Sequence, residues 1–317
     1  RDRSPSRGLG DVYKRQDDTS DGMRLDNYLL KTIKGIPKSK IYNIIRKGEV
    51  RVNSKRVKPL YKLKIDDLIR IPPNLIKIGS KKKPSIKHKD LNWINDIIIY
   101  ENDAFLVLNK PSGIAVHGGS GISNGLIELL RAHRDNNKED LELVHRLDKE
   151  TSGCLLVSKK RSKLRLLHKY FRDGRVNKTY LGLLMGSFKK KSYVVDQPLK
   201  INSDNNQRKA VPDSHGKRAV TEFNLMEEFD NCALFQIKPI TGKTHQIRVH
   251  ANFIGKPLAG DQRYNPEPDL LENFGLKRLF LHAKSISFPL PNTSEKIITI
   301  EANIGNELND VIYKLRA

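Results

Sequence analysis

Leu143-Val144-His145-Arg146-Leu147-Asp148-Lys149-Glu150-Thr151-Ser152-Gly153 runs straight into Cys154-Leu155-Leu156-Val157-Ser158. The first part is charged, small and polar, and reads as a loop; the second is an apolar run of strand length. Residues 159–171 then carry the spacing of an amphipathic helix, and residues 179–185 read as the next strand. Further out, residues 220–226, 234–238, 285–288 and 297–302 predict strands, and 244–254 a helix stopped by Gly255. Upstream, residues 96–100 and 105–108 flank Glu101-Asn102-Asp103 as a hairpin. Many strands with few, irregularly placed helices predict an α+β domain over residues 91–317. Its sheet should be mainly antiparallel or mixed, with flanking helices and loops, rather than a βαβ repeat. No internal repeat is present.

Asp148 is the residue of interest in the opening loop. One reading makes it a turn or cap for Thr151-Ser152, a common use of aspartate. The other makes it a reactive carboxylate, kept ionised by the positive charge of Arg146 and Lys149. A lone carboxylate among cations suits chemistry at a sugar carbon beside phosphates. Residue types alone leave both open.

The 317 residues suggest about two domains. Hydrophobic residues make up 37%, which excludes disorder throughout. Apolar runs such as Ile97-Ile98-Ile99-Tyr100 fall far short of the roughly 18 residues that a membrane span needs. No apolar stretch follows the first charges, so a secretory signal is not expected. Two cysteines, Cys154 and Cys232, form no C-x-x-C pair. They fit a reducing cytoplasm better than a zinc site or a disulfide framework.

Lys and Arg number 59 against 36 Asp and Glu, a net charge of +23. Residues 23–72 hold 14 basic and four acidic side chains, and residues 73–90 six and one, whereas residues 91–317 hold 34 and 26. The excess is therefore concentrated ahead of Leu91 and points to a polyanionic partner.

Residues 1–21 are polar and without hydrophobic period, and are expected to be a disordered tail or a scar of cloning or sequence assembly. From Met23 the pattern changes. Leu25, Tyr28, Leu29 and Ile33 recur at helical spacing behind Ser20 or Asp21 as cap. A second helix is expected over 37–47, with Ile41, Ile44 and Ile45 inward and Gly48 as its stop. Residues 50–52 and 56–57 predict short strands around Asn53-Ser54, and 67–71 a third, closed by Pro72-Pro73. Lys38, Lys40, Arg46, Lys47, Arg51, Lys55 and Arg56 are left for the surface. The result, over residues 22–72, is a small α/β module that either binds RNA or caps the larger domain. Residues 73–90, with Pro, Gly, Ser and a lysine triplet, read as a basic flexible linker.

Three motifs are decoys. Gly121-Ile122-Ser123-Asn124-Gly125 fits a nucleophile elbow with His117-Gly118-Gly119 nearby, but no strand precedes Ser123 and the oxyanion loop should come from a much earlier strand. Thr241-Gly242-Lys243-Thr244 ends like a phosphate-binding loop, yet Ile237 stands where its first glycine belongs. His245 and His250 lie five apart, off the spacing of a helical metal pair, and read as structural or RNA-contacting.

His145-Arg146-Leu147-Asp148-Lys149-Glu150-Thr151-Ser152-Gly153 resembles the catalytic signature of the RluA family of pseudouridine synthases. Asn109-Lys110-Pro111-Ser112-Gly113-Ile114-Ala115-Val116-His117-Gly118-Gly119-Ser120-Gly121 resembles the preceding motif, and its ending is most similar to the RluC-type subgroup. Thr241-Gly242-Lys243-Thr244-His245-Gln246-Ile247-Arg248-Val249-His250 and Arg278-Leu279-Phe280-Leu281-His282-Ala283 resemble later motifs in the same order, with Lys243 where arginine is usual. Arg24-Leu25-Asp26, Lys47-Gly48-Glu49-Val50-Arg51-Val52-Asn53 and Asp67-Leu68-Ile69-Arg70 resemble the S4 RNA-binding domain. The resemblance covers the chain from Met23 onward; residues 1–21 match nothing in it.

This resemblance implies isomerisation of uridines in large-subunit ribosomal RNA, without cofactor or metal. Transfer RNA as substrate and a non-catalytic assembly factor are the alternatives. Asp148 is the expected catalytic residue, as nucleophile at the glycosidic carbon or as base at the sugar. Tyr180 is expected against the uracil, Arg248 paired with the catalytic carboxylate, and Arg146 in the space a flipped base leaves. Arg24, Lys110, His117, Lys243 and His245 join the basic residues of the first module as expected RNA contacts. A cytoplasmic monomer is expected.

Overall fold

The first element lies in the segment expected to be a tail. The computed structural model describes residues 12–16, 20–33, 36, 38–72, 91–118, 124–134, 139–204, 207–266, 274–291 and 293–317. In it, β1 (Val12–Arg15) pairs antiparallel with β3 (Leu68–Ile71), Val12 opposite Ile71 and Arg15 opposite Leu68. The expectation that residues 1–21 stay outside the fold is therefore corrected for this segment. Val-Tyr-Lys-Arg is too short to show a period, and its pairing follows from the open backbone edge of β3. The decoy Ser123 and the expected linker over 73–90 lie outside the described residues.

The chain divides into two compact units, residues 1–87 and 88–317. In the first, α1 (Leu25–Thr32) and α2 (Lys38–Lys47) present the predicted apolar faces. Leu25, Leu29, Ile41, Ile44 and Ile45 are buried against Val50, Ile69 and Ile71. The N-cap of α1 is Arg24 rather than Ser20 or Asp21. Two strands complete the sheet as β1-β3-β2, with β2 at Arg51–Val52. The strand expected over 56–57 is absent among the described residues. The chain turns back at Asn53 and Ser54, both at positive φ, and Lys55 bridges only to Val52.

The second unit opens with a single turn of helix, α3 (Trp93–Asp96), and the predicted hairpin β4 (Ile98–Glu101) and β5 (Phe105–Lys110). Next come α4 (Leu126–His133), β6 (Glu142–Leu143) and β7 (Ser152–Ser158). The amphipathic segment forms α5 (Arg161–Arg172), followed by β8 (Asn177–Met185) and β9 (Ser192–Asp196). A hairpin of β10 (Leu199–Asp204) and β11 (Gln207–Pro212) forms its own two-stranded sheet. It leads to β12 (Val220–Glu228), β13 (Cys232–Pro239) and the helix α6 (Gln246–Phe253). β14 (Leu281–Leu290), β15 (Thr293–Glu301) and α7 (Asn306–Arg316) end the chain.

The large sheet has ten strands in the order β4-β5-β7-β14-β8-β13-β12-β9, with β15 on β14 and β6 on β7. One pairing among the described strands is parallel. It is β7 with β14, Ser152 opposite His282 and Gly153 opposite Ala283. The sheet is thus mixed and mainly antiparallel, and the fold is α+β. β7 is buried along its whole length, which is why its sequence reads as an apolar run rather than an alternation. β7 lies between β5 and β14, so the loop that leads into it, with Asp148, comes within reach of both. Among the described residues no helix is long and apolar enough to cross a membrane.

Candidate active site

The loop between β6 and β7 is clamped from both sides. From β5, Lys110 is fully buried, and its Nζ donates to the carbonyls of Pro111 and Ile114 at 2.8 Å each and of Lys149 at 3.0 Å. Ser112 Oγ donates to the Glu150 carbonyl at 2.6 Å, and the Gly113 N–H to that of Lys149 at 3.0 Å. From β14, His282 Nδ1 lies 2.9 Å from Ser152 Oγ, while its Nε2 faces the Ala302 carbonyl at 3.2 Å. Arg278 Nη1 donates to the same Ser152 oxygen at 3.3 Å. Gly153 has a φ of +107°, and a Cβ there would strike the Ala283 carbonyl. The motifs separated in sequence thus meet as supports of one loop.

Lys110 is corrected by this geometry. It does not reach solvent, and its three protons are taken by three carbonyls. Burial pushes its pKa down to about 7, against the nearby charges of Glu150 and Asp148.

Asp148 stands half-buried at a cavity of about 660 Å³. Tyr180, on β8, lines the cavity with Leu281, Lys178, Phe171 and Arg146. The Tyr180 ring is 8% exposed. Its hydroxyl is held protonated, first by burial and then by the charge of Asp148. Arg146 is exposed at the mouth. His145 stacks on Phe171 at 5.3 Å, and its Nε2 accepts the Leu156 N–H at 3.0 Å. Burial holds that ring neutral, with its pKa pushed down to about 3. His117 and Lys243 also line the cavity.

Arg248 is not paired with Asp148. Its Nε donates to Asp261 Oδ2 at 2.8 Å and its Nη2 to Oδ1 of the same carboxylate, both side chains being buried. Burial alone would favour deprotonation of the guanidinium, but Asp261 outweighs it and raises the pKa. The expected pairing is replaced because Asp261, just after Gly260, accepts from both Nε and Nη2 of the guanidinium, a partner that the sequence does not signal. The side chain recorded against Asp148 is His245, with Nε2 at 3.8 Å from Oδ1. His245 is thus a wall of the cavity. His250 is structural, with Nδ1 2.9 Å from Thr221 Oγ1 and Nε2 2.9 Å from the Gln197 carbonyl.

In the first unit Lys38, Lys40, Arg46, Lys47, Lys55 and Arg56 are exposed and Arg51 half-buried. Arg24 is already engaged: its Nη2 lies 2.6 Å from Asp26 Oδ2 and 3.2 Å from the Tyr42 hydroxyl, around a fully buried Asp26.

Comparison with known proteins fits this geometry. The family model of RNA pseudouridylate synthases matches residues 104–253, and that of the S4 domain residues 23–69. The ribosomal large subunit pseudouridine synthase C of Haemophilus ducreyi is 48% identical over 306 residues, covering 95% of this chain and 94% of that protein. The chain belongs to the RNA pseudouridylate synthase family. The protein of the same name from Vibrio vulnificus is 48% identical over 303 residues, covering 95% of each chain. Among solved structures, human RNA pseudouridylate synthase domain containing 4 superposes with a TM-score of 0.59 at 25% identity, over 71% of this chain and 95% of that one. The protein is therefore an RNA pseudouridine synthase with an S4 domain at its N-terminal end.

Proposed function

We propose that this synthase isomerises specific uridines of large-subunit ribosomal RNA, with Asp148 as the catalytic carboxylate. The observation that carries the reading is Asp148 at the wall of a cavity that a buried tyrosine also lines, inside a loop whose carbonyls are held by Lys110, Ser112 and Gly113. The similarity to proteins named for the large ribosomal subunit supports the substrate class.

A base in folded RNA must leave its stack to enter the cavity, at a cost of a few kcal/mol. Arg146, exposed at the mouth, fills the vacated space. Tyr180 faces the uracil with a protonated hydroxyl. Asp148 acts at the sugar while the bond from the sugar carbon to the base nitrogen breaks. The base turns and bonds to that carbon through its carbon 5, which gives up its hydrogen as the nitrogen gains one, so no atom is gained or lost overall. A glycoside hydrolase needs a second carboxylate to direct water; this reaction must keep the base and exclude water, and one carboxylate suffices. Flanking phosphates fit a second cavity of about 750 Å³ that Asp148 also lines, with Lys149, Arg263, Lys277 and Arg278 around it. Residues 22–72, with β1 added to their sheet, are the RNA-binding module, 73–90 its basic linker and 91–317 the catalytic domain. The protein acts as a monomer in the cytoplasm.

Asp148→Asn should abolish pseudouridine formation on ribosomal RNA from a deletion strain and leave RNA affinity within a few-fold of wild type. Pseudouridine mapping with and without the gene decides the substrate. Sites lost only from transfer RNA, or full activity in Asp148→Asn, would overturn the proposal.

A further inference from the structure

His245 has a left-handed backbone, with φ 53°, at the N-cap of α6, and its side chain makes no capping hydrogen bond. A non-glycine residue in that region is strained, and such strain persists where the surroundings hold the side chain in place. Both ring nitrogens have partners. Nδ1 lies 2.8 Å from the Tyr264 hydroxyl, and Nε2 faces Asp148 Oδ1 at 3.8 Å.

The direction of these bonds places the proton. The Ala210 N–H donates to the Tyr264 oxygen at 3.2 Å, so that oxygen already serves as acceptor. Tyr264 is buried, and burial raises its pKa, so at neutral pH it keeps its one proton. Among the described residues, the acceptor recorded for that proton is His245 Nδ1. An Nδ1–H would leave the buried hydroxyl proton without a partner, which is costly. The imidazole therefore accepts at Nδ1 and carries its own hydrogen on Nε2, toward Asp148.

We propose that His245, oriented by Tyr264, is the positioning residue of the catalytic carboxylate, a neutral donor presenting Nε2–H to Asp148. The inference rests on Asp148 being that carboxylate. A separation of 3.8 Å is long for a bond, and catalytic contacts of this kind tighten when substrate fills the site. The arrangement has a chemical advantage. Arg248, which lines the same cavity, is committed to Asp261. A neutral donor can aim that carboxylate without neutralising it.

The charged groups around the pair are known. Asp148, Arg248, Arg263 and Asp261 act on His245, where burial favours the neutral ring. Lys209 and Arg248 sit over the Tyr264 ring at 5.0 and 5.2 Å.

Two measurements test the proposal on the full-length protein. Nitrogen-15 spectra of histidine-labelled enzyme at pH 7, with His245 assigned by loss of its signal in His245→Gln, should show the Nε2–H tautomer. Tyr264→Phe keeps the ring but removes the hydroxyl. It should abolish the tautomer preference and lower kcat on the order of tenfold at unchanged KM. His245→Ala should lose at least as much, and His245→Gln, whose amide N–H reaches the Nε2 position, should recover part of it. A purely structural role would lower thermal stability without this pattern. A proton on Nδ1 in the wild type, or wild-type kcat in both Tyr264→Phe and His245→Ala, overturns the proposal. Inactive Asp148→Asn beside fully active His245→Ala would overturn this inference alone; active Asp148→Asn would remove the reading beneath it.

Discussion

A lysine with no exposed surface and no carboxylate bonded to it would be costly to bury if its protons lacked acceptors. Lys110 has three, the carbonyls of Pro111, Ile114 and Lys149, and so ties β5 to the loop that bears Asp148. Lys110→Met keeps the volume but strands those acceptors. It should cost about 2–4 kcal/mol in urea unfolding. It should also lower kcat while leaving RNA affinity unchanged, the reverse of what a phosphate contact would do. Sequence reading sets Lys110 among the RNA contacts because a lysine in a polar motif is normally outside. Asp148 is legible within a long contiguous motif and Tyr180 only in the short Lys178-Thr179-Tyr180, and the fold brings the two to one cavity. The distant partners of Lys110, Arg248 and His245 are not legible, since nothing in the local spacing ties Lys149, Asp261 or Tyr264 to them.

At the scale of elements, period decides what is readable. β7, α5 and β8 show their apolar run or stripe in the sequence, and their predicted cores hold to within a few residues. β1 does not, because its four residues gain their structure from a neighbouring edge. The parallel contact of β7 with β14 is likewise hidden, although Gly153 marks it. Gly153→Ala adds both a strained φ and a clash with the Ala283 carbonyl, and should destabilise the protein by more than about 2 kcal/mol. A fall in melting temperature with loss of activity checks this. Glu101, at the end of β4, joins Arg134 at the C-cap of α4 to Lys159 after β7, each at 2.7 Å. Arg134 above all holds its carboxyl down to about 2 in the folded chain, with Lys159 adding to it against burial. Its unfolded value is near 4.3, so the native state releases this proton more readily. The stabilisation is full above that value and is lost as pH falls toward 2. Partial exposure keeps it on the order of 1–2 kcal/mol. Glu101→Gln should therefore unfold earlier at pH 7 and lose less stability than wild type between pH 5 and 2.

For the whole molecule, the net charge of +23 divides the labour of binding from that of chemistry. The basic excess is concentrated in residues 23–90, and the exposed side chains of α2 and the turn after β2 display part of it. Chemistry needs one carboxylate kept ionised in the other unit, where basic and acidic residues are nearly balanced. The two contributions should separate with salt. Each phosphate neutralised by a cation releases counterions, and the slope of log affinity against log salt falls by roughly 0.7–0.9 per lost contact. Replacing Lys38, Lys40, Arg46, Lys47 and Arg56 by glutamine should therefore flatten the slope by up to about 4 and weaken RNA binding most at low salt. At RNA concentrations high enough to saturate the variant, single-turnover pseudouridine formation should match wild type, because the cavity is built by residues of the second unit. A slope equal to that of wild type would mean that these cations face water rather than phosphate. A slow single turnover at saturation would mean that the S4 domain shapes the bound RNA as well as holding it.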